Sequence, residues 1–338
     1  MTSASAAMRR RTLIILSAAA GVAALLGAAS FIPPGEELPR SEVGQRVLPA
    51  FESKASLVSL VMVTTGEENY HLVKNDDGWV MPEKGNYPVN PARIRELTDA
   101  LSFIAYARPM TRGEKKFDRI GLGDPTAGGT GALLEVGDGS GANFAKLLAG
   151  YRDGRSYIRK PDDLQAWVVA NGVLPPLQRA MRWLDLDIAP VKAGDIAGVD
   201  IRPAQGPSYR LDANADGGFS LAPPYDKRPL VAALAPAVAA EPLTRLSPVD
   251  VARAMDVAVG APVAEHITRT KLGVFIVARS WRKDDRGWIT ISAATTDAAT
   301  PDAVSQANAI NAKAAPWAFA LTELDWSGFS TPLAAIAD

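Results

Sequence analysis

The sequence has no cysteine, and only two of its 338 residues are histidine, His71 and His266. Without thiols there are no disulfides, no cysteine-ligated zinc and no thiol chemistry. A lipoprotein anchor is excluded too, because a cysteine carries that lipid. A cysteine-free chain remains compatible with an oxidising compartment. With two histidines, any Ser-His-Asp site must use one of them. Net charge is also scant. The 36 basic residues meet 37 acidic ones, leaving a formal charge of −1. That balance argues against a general nucleic-acid binder, which carries a basic excess or stripe. Apolar residues make up 47% of the chain and charged residues 22%, so the bulk is a body with real cores rather than a bundle of membrane spans. The length fits about two domains.

One long uncharged run is present, Thr12–Ile32, preceded by Arg9, Arg10 and Arg11 and ended by Pro33 and Pro34. As a helix it would reach about 31 Å, close to the hydrocarbon thickness of a bilayer. The arginines would hold the amino terminus in the cytoplasm and place everything after Ile32 outside. The expected order is therefore a cytoplasmic basic tail (1–11), a transmembrane helix (12–32) and a Pro- and Gly-containing linker (33–56). The rival reading is a cleaved signal peptide, with small residues Gly27, Ala29 and Ser30 at the cleavage site. The arginine pair before Thr12-Leu13-Ile14 faintly resembles a Tat signal, although any inner-membrane helix carries such a flank.

An internal repeat organises the remainder. Val58–Met81 and Ile196–Leu221 align so that Tyr70 matches Tyr209, Leu72 matches Leu211, Trp79 matches Phe219 and Met81 matches Leu221. Alternation in Leu57–Val63 and Tyr70–Val73 predicts strands. Gly66 and Gly206 mark one turn, Asp77-Gly78 and Asp216-Gly217 the next. Each copy should open with a three-stranded antiparallel meander and continue into a helix. Asn90-Pro91 caps the first helix, with Ile94, Leu97, Leu101 and Ile104 at helical spacing. Pro229 starts the second, with Leu230, Leu234 and Val238, although Pro236 disturbs it. Further strands are expected at Leu133–Val136, Phe144–Leu148, Ser156–Arg159, Val274–Ala278 and Trp288–Ser292. Ala166–Val169 and Trp317–Leu321 would close the two units. The expected class is α+β, with units at 57–195 and 196–338 and no βαβ alternation.

Chemistry-bearing motifs are weak. His71 falls in a predicted strand, where the repeat has Arg210, and His266 stands alone before one. Both read as ordinary surface or edge residues. Asp212, Asn214, Asp216 and Gly217 match the start of an EF-hand loop, but the twelfth position, where that loop needs glutamate, is Pro223. The repeat makes the segment a hairpin turn. Ser280-Trp281-Arg282-Lys283 fits S-x-x-K without its companion motifs, and it runs into a hairpin tip at Asp284-Asp285. The glycines from Gly121 to Gly141 form neither a dinucleotide fingerprint nor a P-loop. Asp185 and Asp187 are spaced as possible paired carboxylates, with a solvated turn the plainer reading. Tyr70, Trp79, Tyr87, Tyr157, Trp281 and Trp288 are candidate stacking faces of a binding surface, weighed against core or cross-strand roles. No metal or cofactor is implied.

A basic start and one span precede Gly78-Trp79, Pro82, the capped helix at Pro91 and Ile120-Gly121-Leu122-Gly123-Asp124-Pro125. Tyr157-Ile158-Arg159 and Trp183-Leu184-Asp185 follow. This order resembles domain-of-unknown-function family 4340 over roughly residues 57–250. The resemblance implies a membrane-anchored protein found beside gliding-motility-type ABC transporter components, and it carries over no catalytic residue. The expectation is a non-catalytic auxiliary or scaffold subunit of an ABC-type transport or envelope complex. Its body would lie in the periplasm of a bacterial inner-membrane system, with transporter-type membrane subunits as partners. The alternatives are a periplasmic glycan- or peptide-binding module and an envelope hydrolase built on Ser280, His71 or His266.

Overall fold

The computed structural model describes residues 41–338. Arg9–Arg11 and the apolar run Thr12–Ile32 lie outside them. Among the described residues no helix is long and apolar enough to cross a membrane.

The body is α+β, with two antiparallel sheets and few helices. The first sheet opens with the meander β1 (Leu60–Thr64), β2 (Asn69–Asn75) and β3 (Gly78–Met81), which β4 (Tyr87–Pro88) extends. From the other side of β1 a second meander runs through β6 (Ala132–Gly137), β7 (Asn143–Arg152), β8 (Arg155–Arg159) and β9 (Trp167–Ala170). β5 (Ala105–Pro109) closes the far edge against β9. The second sheet follows the same course. The meander β10 (Ile196–Pro203), β11 (Tyr209–Ala213), β12 (Phe219–Leu221) is joined through β10 to β14 (Ala264–Thr270), β15 (Val274–Lys283), β16 (Arg286–Thr295) and β17 (Trp317–Leu321). β13 (Asp250–Arg253) lies at the far edge against β17. Strand for strand the orders correspond, except that nothing in the second sheet stands where β4 stands in the first.

Period-two burial explains most of these strands. In β1, Val61 and Val63 are buried while their neighbours are half-exposed. β14 inverts the usual polarity. Its buried face is Ala264, His266, Thr268 and Thr270, and its half-exposed positions include Ile267. An apolar alternation test therefore passes over it. This corrects the expectation for His266, which sits inside the strand with no exposed surface.

Asn90 caps α1 (Pro91–Phe103), its Oδ1 accepting from the Ala92 amide at 2.9 Å, and Leu97 and Leu101 are fully buried. The helix expected from Pro229 does not form. Leu230 bridges to Ala337, and Leu230, Leu234 and Val238 are exposed. Only α2 (Ala235–Ala240) is helical there, with Pro236 in its first turn, where a missing amide costs least. The short α3 (Ala254–Val257) follows β13. α4 (Pro301–Ala314), unforeseen from the sequence, packs on β16 and β15. Its Asn311 side chain both donates to the Ala293 carbonyl and accepts from the Ala293 amide, each at 2.8 Å. α5 (Glu323–Gly328) follows β17.

The expected linker is shorter than its 33–56 bounds. Gly44 and Val47 donate to the Tyr106 and Ile104 carbonyls, and Val47 and Phe51 are buried in the core. Their apolar side chains bring the segment onto β5. A single large cluster of buried residues runs through both halves.

Candidate functional site

The segment after β9 leaves the first sheet, passes Leu174-Pro175-Pro176-Leu177 and forms a short 3₁₀ turn at Ala180–Trp183. Three side-chain hydrogen bonds fix it. Tyr70 Oη donates to the Leu177 carbonyl at 2.7 Å, Trp183 Nε1 donates to Tyr70 Oη at 2.8 Å, and Glu68 Oε2 accepts from the Ala180 amide at 2.7 Å. Burial, with the nearby Glu68 charge adding to it, pushes the Tyr70 hydroxyl far above its ordinary range, so it stays a neutral donor. The chain then runs beside β4. Asn90 donates to the Trp183 carbonyl and Asp185 to the Pro88 carbonyl, with Val89 bridged to Leu184.

This pinned segment forms one wall of a cleft of about 670 Å³. Arg93 from the first turn of α1, Arg179 and Arg182 line it. Ser247-Pro248-Val249, just before β13, supplies the wall from the second half. Arg179 and Arg182 are exposed and form no ion pair among the described residues, while Arg93 holds Glu96 at 2.8 Å. Glu67 and Glu68 also reach the cleft, and Trp183 and Leu184 give it an apolar floor. An adjoining, more apolar hollow of about 210 Å³ shares Pro175 and Pro176 and continues past Val173 to Tyr151. Guanidinium groups over apolar walls suit planar anions, which they grip with paired N–H donors. The lining holds no histidine and no assembled nucleophile–base pair. Sequence reasoning missed these arginines. Their signal was the Arg179-x-x-Arg182 spacing directly before Trp183 and after Pro175-Pro176.

A family model described as "Domain of unknown function (DUF4340)" matches residues 79–262, more than half of the chain. The chain belongs to the DUF4340 family. No curated protein and no solved structure matches it.

The motifs that carried the DUF4340 resemblance do structural work here. Trp183-Leu184-Asp185 is the pinned stretch beside β4, and its Trp183 and Leu184 line the cleft. Ile120–Pro125 and Tyr157–Arg159 meet in a second place, where Leu122 and Tyr157 pack with Phe117 and Ala166. There Arg159 lies over the Phe117 ring at 4.7 Å and donates to the carbonyls of Leu122 (3.4 Å) and Pro161 (3.1 Å). The glycines serve close backbone packing. A Cβ on Gly129 would lie 2.3 Å from the Gly123 carbonyl carbon, and one on Gly150 would lie 2.2 Å from the Gly121 oxygen.

The six candidate aromatics of this DUF4340 protein do not form an exposed patch. Tyr70, Tyr87, Tyr157, Trp281 and Trp288 are buried and only Trp79 is half-buried, so the core reading replaces the stacking surface. Tyr87 donates to the Asp185 carbonyl at 3.0 Å and meets Trp317 edge-on at 4.7 Å. Trp281 donates to Thr290 Oγ1 at 3.2 Å.

His71, half-exposed on β2, pairs with Glu83. Burial raises the Glu83 carboxyl, but the hydrogen bonds from the His71 ring and amide outweigh it and hold the group below its ordinary range. His266 Nε2 lies 2.9 Å from the Ala239 carbonyl, and desolvation brings its pKa down to about 4. Ser280 is fully buried and Lys283, at the hairpin end, donates to the Asp256 carbonyl at 2.7 Å. The tip at Asp284 and Asp285, both with positive φ, is a hairpin turn. Asp212 lies near the end of β11, and Asn214–Gly217 is also a turn. Asn214 Oδ1 accepts from the Gly218 amide at 2.8 Å, and Asp212 is taken by Arg269 at 2.6 Å. Asp185 and Asp187 face Lys313 of α4 at 3.4 and 4.0 Å.

Proposed function

We propose that this DUF4340 protein is a membrane-anchored, non-catalytic scaffold or binding subunit of an ABC-type transport or envelope complex. The amino-terminal run supplies the anchor and the two-sheet body stands on the periplasmic side. The two sheets then derive from one duplicated unit. The observation that carries the reading is the junction cleft. It is rigidly framed, open to solvent and bounded by both halves. It displays Arg179 and Arg182, which form no ion pair among the described residues, without an assembled nucleophile–base pair beside them. The family resemblance supplies the ABC context. The hydrolase reading loses support because Ser280 and His266 have no solvent-exposed surface and His71 stands on the other sheet. The glycan reading loses its stacking faces to the core.

Affinity purification of the full chain from solubilised membranes tests this role. The expected result is stoichiometric recovery of transporter-type membrane subunits, and a chain that comes down alone counts against it. Protease treatment of spheroplasts tests topology, with digestion of residues 57–338 expected before lysis. Amino-terminal sequencing separates the anchor from a cleaved signal. A mature chain starting near Phe31 would leave a soluble periplasmic protein.

A further inference from the structure

We infer that the junction cleft is a groove for an extended acidic peptide segment of a partner protein. Arg179 and Arg182 take its carboxylates, and the Pro175-Pro176 wall with Val173 takes its apolar side chains. The proposal deepens the scaffold reading by naming what the cleft recognises, and it rests on that reading only for the partner's identity.

Charge comes first. Arg179 and Arg182 are exposed in a concave site and form no ion pair among the described residues, so their N–H donors are open to a ligand. Each guanidinium offers a planar fork that fits a carboxylate. The glutamates decide the kind of anion. Glu67 and Glu68 share the cleft and Glu96 the adjoining hollow. A densely charged strand of phosphates would be driven against them, whereas a peptide can place acids opposite the arginines and neutral residues opposite the glutamates. The shape points the same way. The polar cleft and the apolar hollow share the Pro175-Pro176 wall and together exceed what a lone carboxylate or phosphate ion fills. Val173 at the far end is 70% exposed and Val249 at the near end 49%, so both ends offer apolar surface. Finally, Tyr70, Trp183 and Glu68 hold the arginine-bearing turn in place. Binding then orders little of the protein, which keeps its entropic cost low.

Fluorescence anisotropy on the full chain in detergent tests this, using a labelled peptide in which glutamate alternates with proline and leucine. The expected result is saturable binding that weakens several-fold between about 50 and about 300 mM salt. In Arg179→Glu/Arg182→Glu it should fall by about tenfold or more, with the thermal midpoint unchanged. Lys271→Glu, in the turn between β14 and β15, should leave it intact. If the glutamate pair disturbs folding, Arg179→Gln/Arg182→Gln removes the charge alone and should show the same loss. Equal binding of the lysine-for-glutamate peptide, wild-type affinity in the folded double variants, or no binding at all overturns the inference. Stoichiometric displacement of the peptide by inorganic phosphate, or by phosphatidylglycerol vesicles, also overturns it and reassigns the arginines to a phosphate group. Co-purification separates the two readings. Subunits retained by the double variant sink the groove and spare the scaffold. Peptide binding by a chain that recovers no subunits does the reverse.

Discussion

Tyr70 and Tyr209 do the same job in the two halves. Each is buried in the second strand of its sheet and donates its hydroxyl to a carbonyl in the segment that follows the last central strand. Tyr70 reaches Leu177 at 2.7 Å and Tyr209 reaches Thr331 at 2.9 Å. The pairing was legible as a sequence match, and so was the burial. Tyr70 has the same strand parity as Leu72, and Tyr209 as Leu211. The hydrogen-bond partners lie over a hundred residues away and leave no local trace. Tyr70→Phe also strands the Trp183 Nε1 donor, so it should cost more than Tyr209→Phe, roughly 2–3 against roughly 1 kcal/mol in chemical denaturation. Equal costs would mean that the Trp183 contact contributes nothing. His266 yields a pH prediction. Its folded pKa of about 4 lies below the ordinary 6.5. Stability is complete above the unfolded value and declines as pH falls from 6.5 towards 4, because only the unfolded chain takes up the proton there. His266→Gln keeps a donor for the Ala239 carbonyl without titrating. Relative to this variant, wild type should lose roughly 2 kcal/mol between pH 7.5 and pH 5. Parallel pH profiles would rule out this linkage.

At the scale of elements, legibility followed the strength of the apolar pattern. α1 was readable because Asn90-Pro91 caps a run of large apolar residues at helical spacing. α4 was not, because its buried face is Ala303, Ala307, Ile310 and Ala314, too small to stand out against an alanine-rich background. The Thr300-Pro301 pair before it, with Thr300 capping the Ala303 amide, was its one clear signal. The failed helix at Pro229 shows the reverse. Leu230, Leu234 and Val238 have the spacing but face solvent, since the chain there pairs with Ala337 instead. The glycine-rich stretch was legible as something other than a phosphate loop, although its purpose was not. It lets the Gly121–Gly131 backbone fold onto itself and onto β7. Gly129→Ala places a methyl against the Gly123 backbone, which cannot swing aside as a side chain can. It should cost roughly 1–3 kcal/mol in thermal or chemical unfolding. Gly154→Ala meets no neighbour but sits at positive φ, so it should show only the smaller strain of that backbone. If Gly129→Ala unfolds like wild type, the close approach has no energetic role.

The whole molecule holds together through the segment that distinguishes the two sheets. β4 has no counterpart in the second half, and Tyr87 on it inserts against the second sheet, edge-on to Trp317 at 4.7 Å and to Phe319 at 6.3 Å. Next to it Lys84 reaches Asp250 at 2.7 Å, and on the other side Lys313 reaches back to Asp185. The extra strand thus serves as the joint, while the repeat supplies the two bodies. The region matched by the family model, residues 79–262, begins in β3, crosses the joint and ends before β14. A sequence repeat could announce two units, but it could not announce their joint, which is built from what the copies do not share. The physical consequence is cooperative unfolding. Tyr87 and Trp317 are both at least 95% buried, and separating the halves would expose them together with the β13–β17 edge. That cost should couple the sheets, so tryptophan fluorescence and circular dichroism of the full chain should trace one coincident transition. Tyr87→Ala removes the inserted ring and should lower stability by roughly 3–5 kcal/mol. It should also let the halves melt separately, with Trp79, Trp167 and Trp183 reporting the first and Trp281, Trp288, Trp317 and Trp326 the second. Two transitions already present in wild type would mean that the joint is a hinge, and the cleft it frames would then lose the rigidity on which peptide recognition depends.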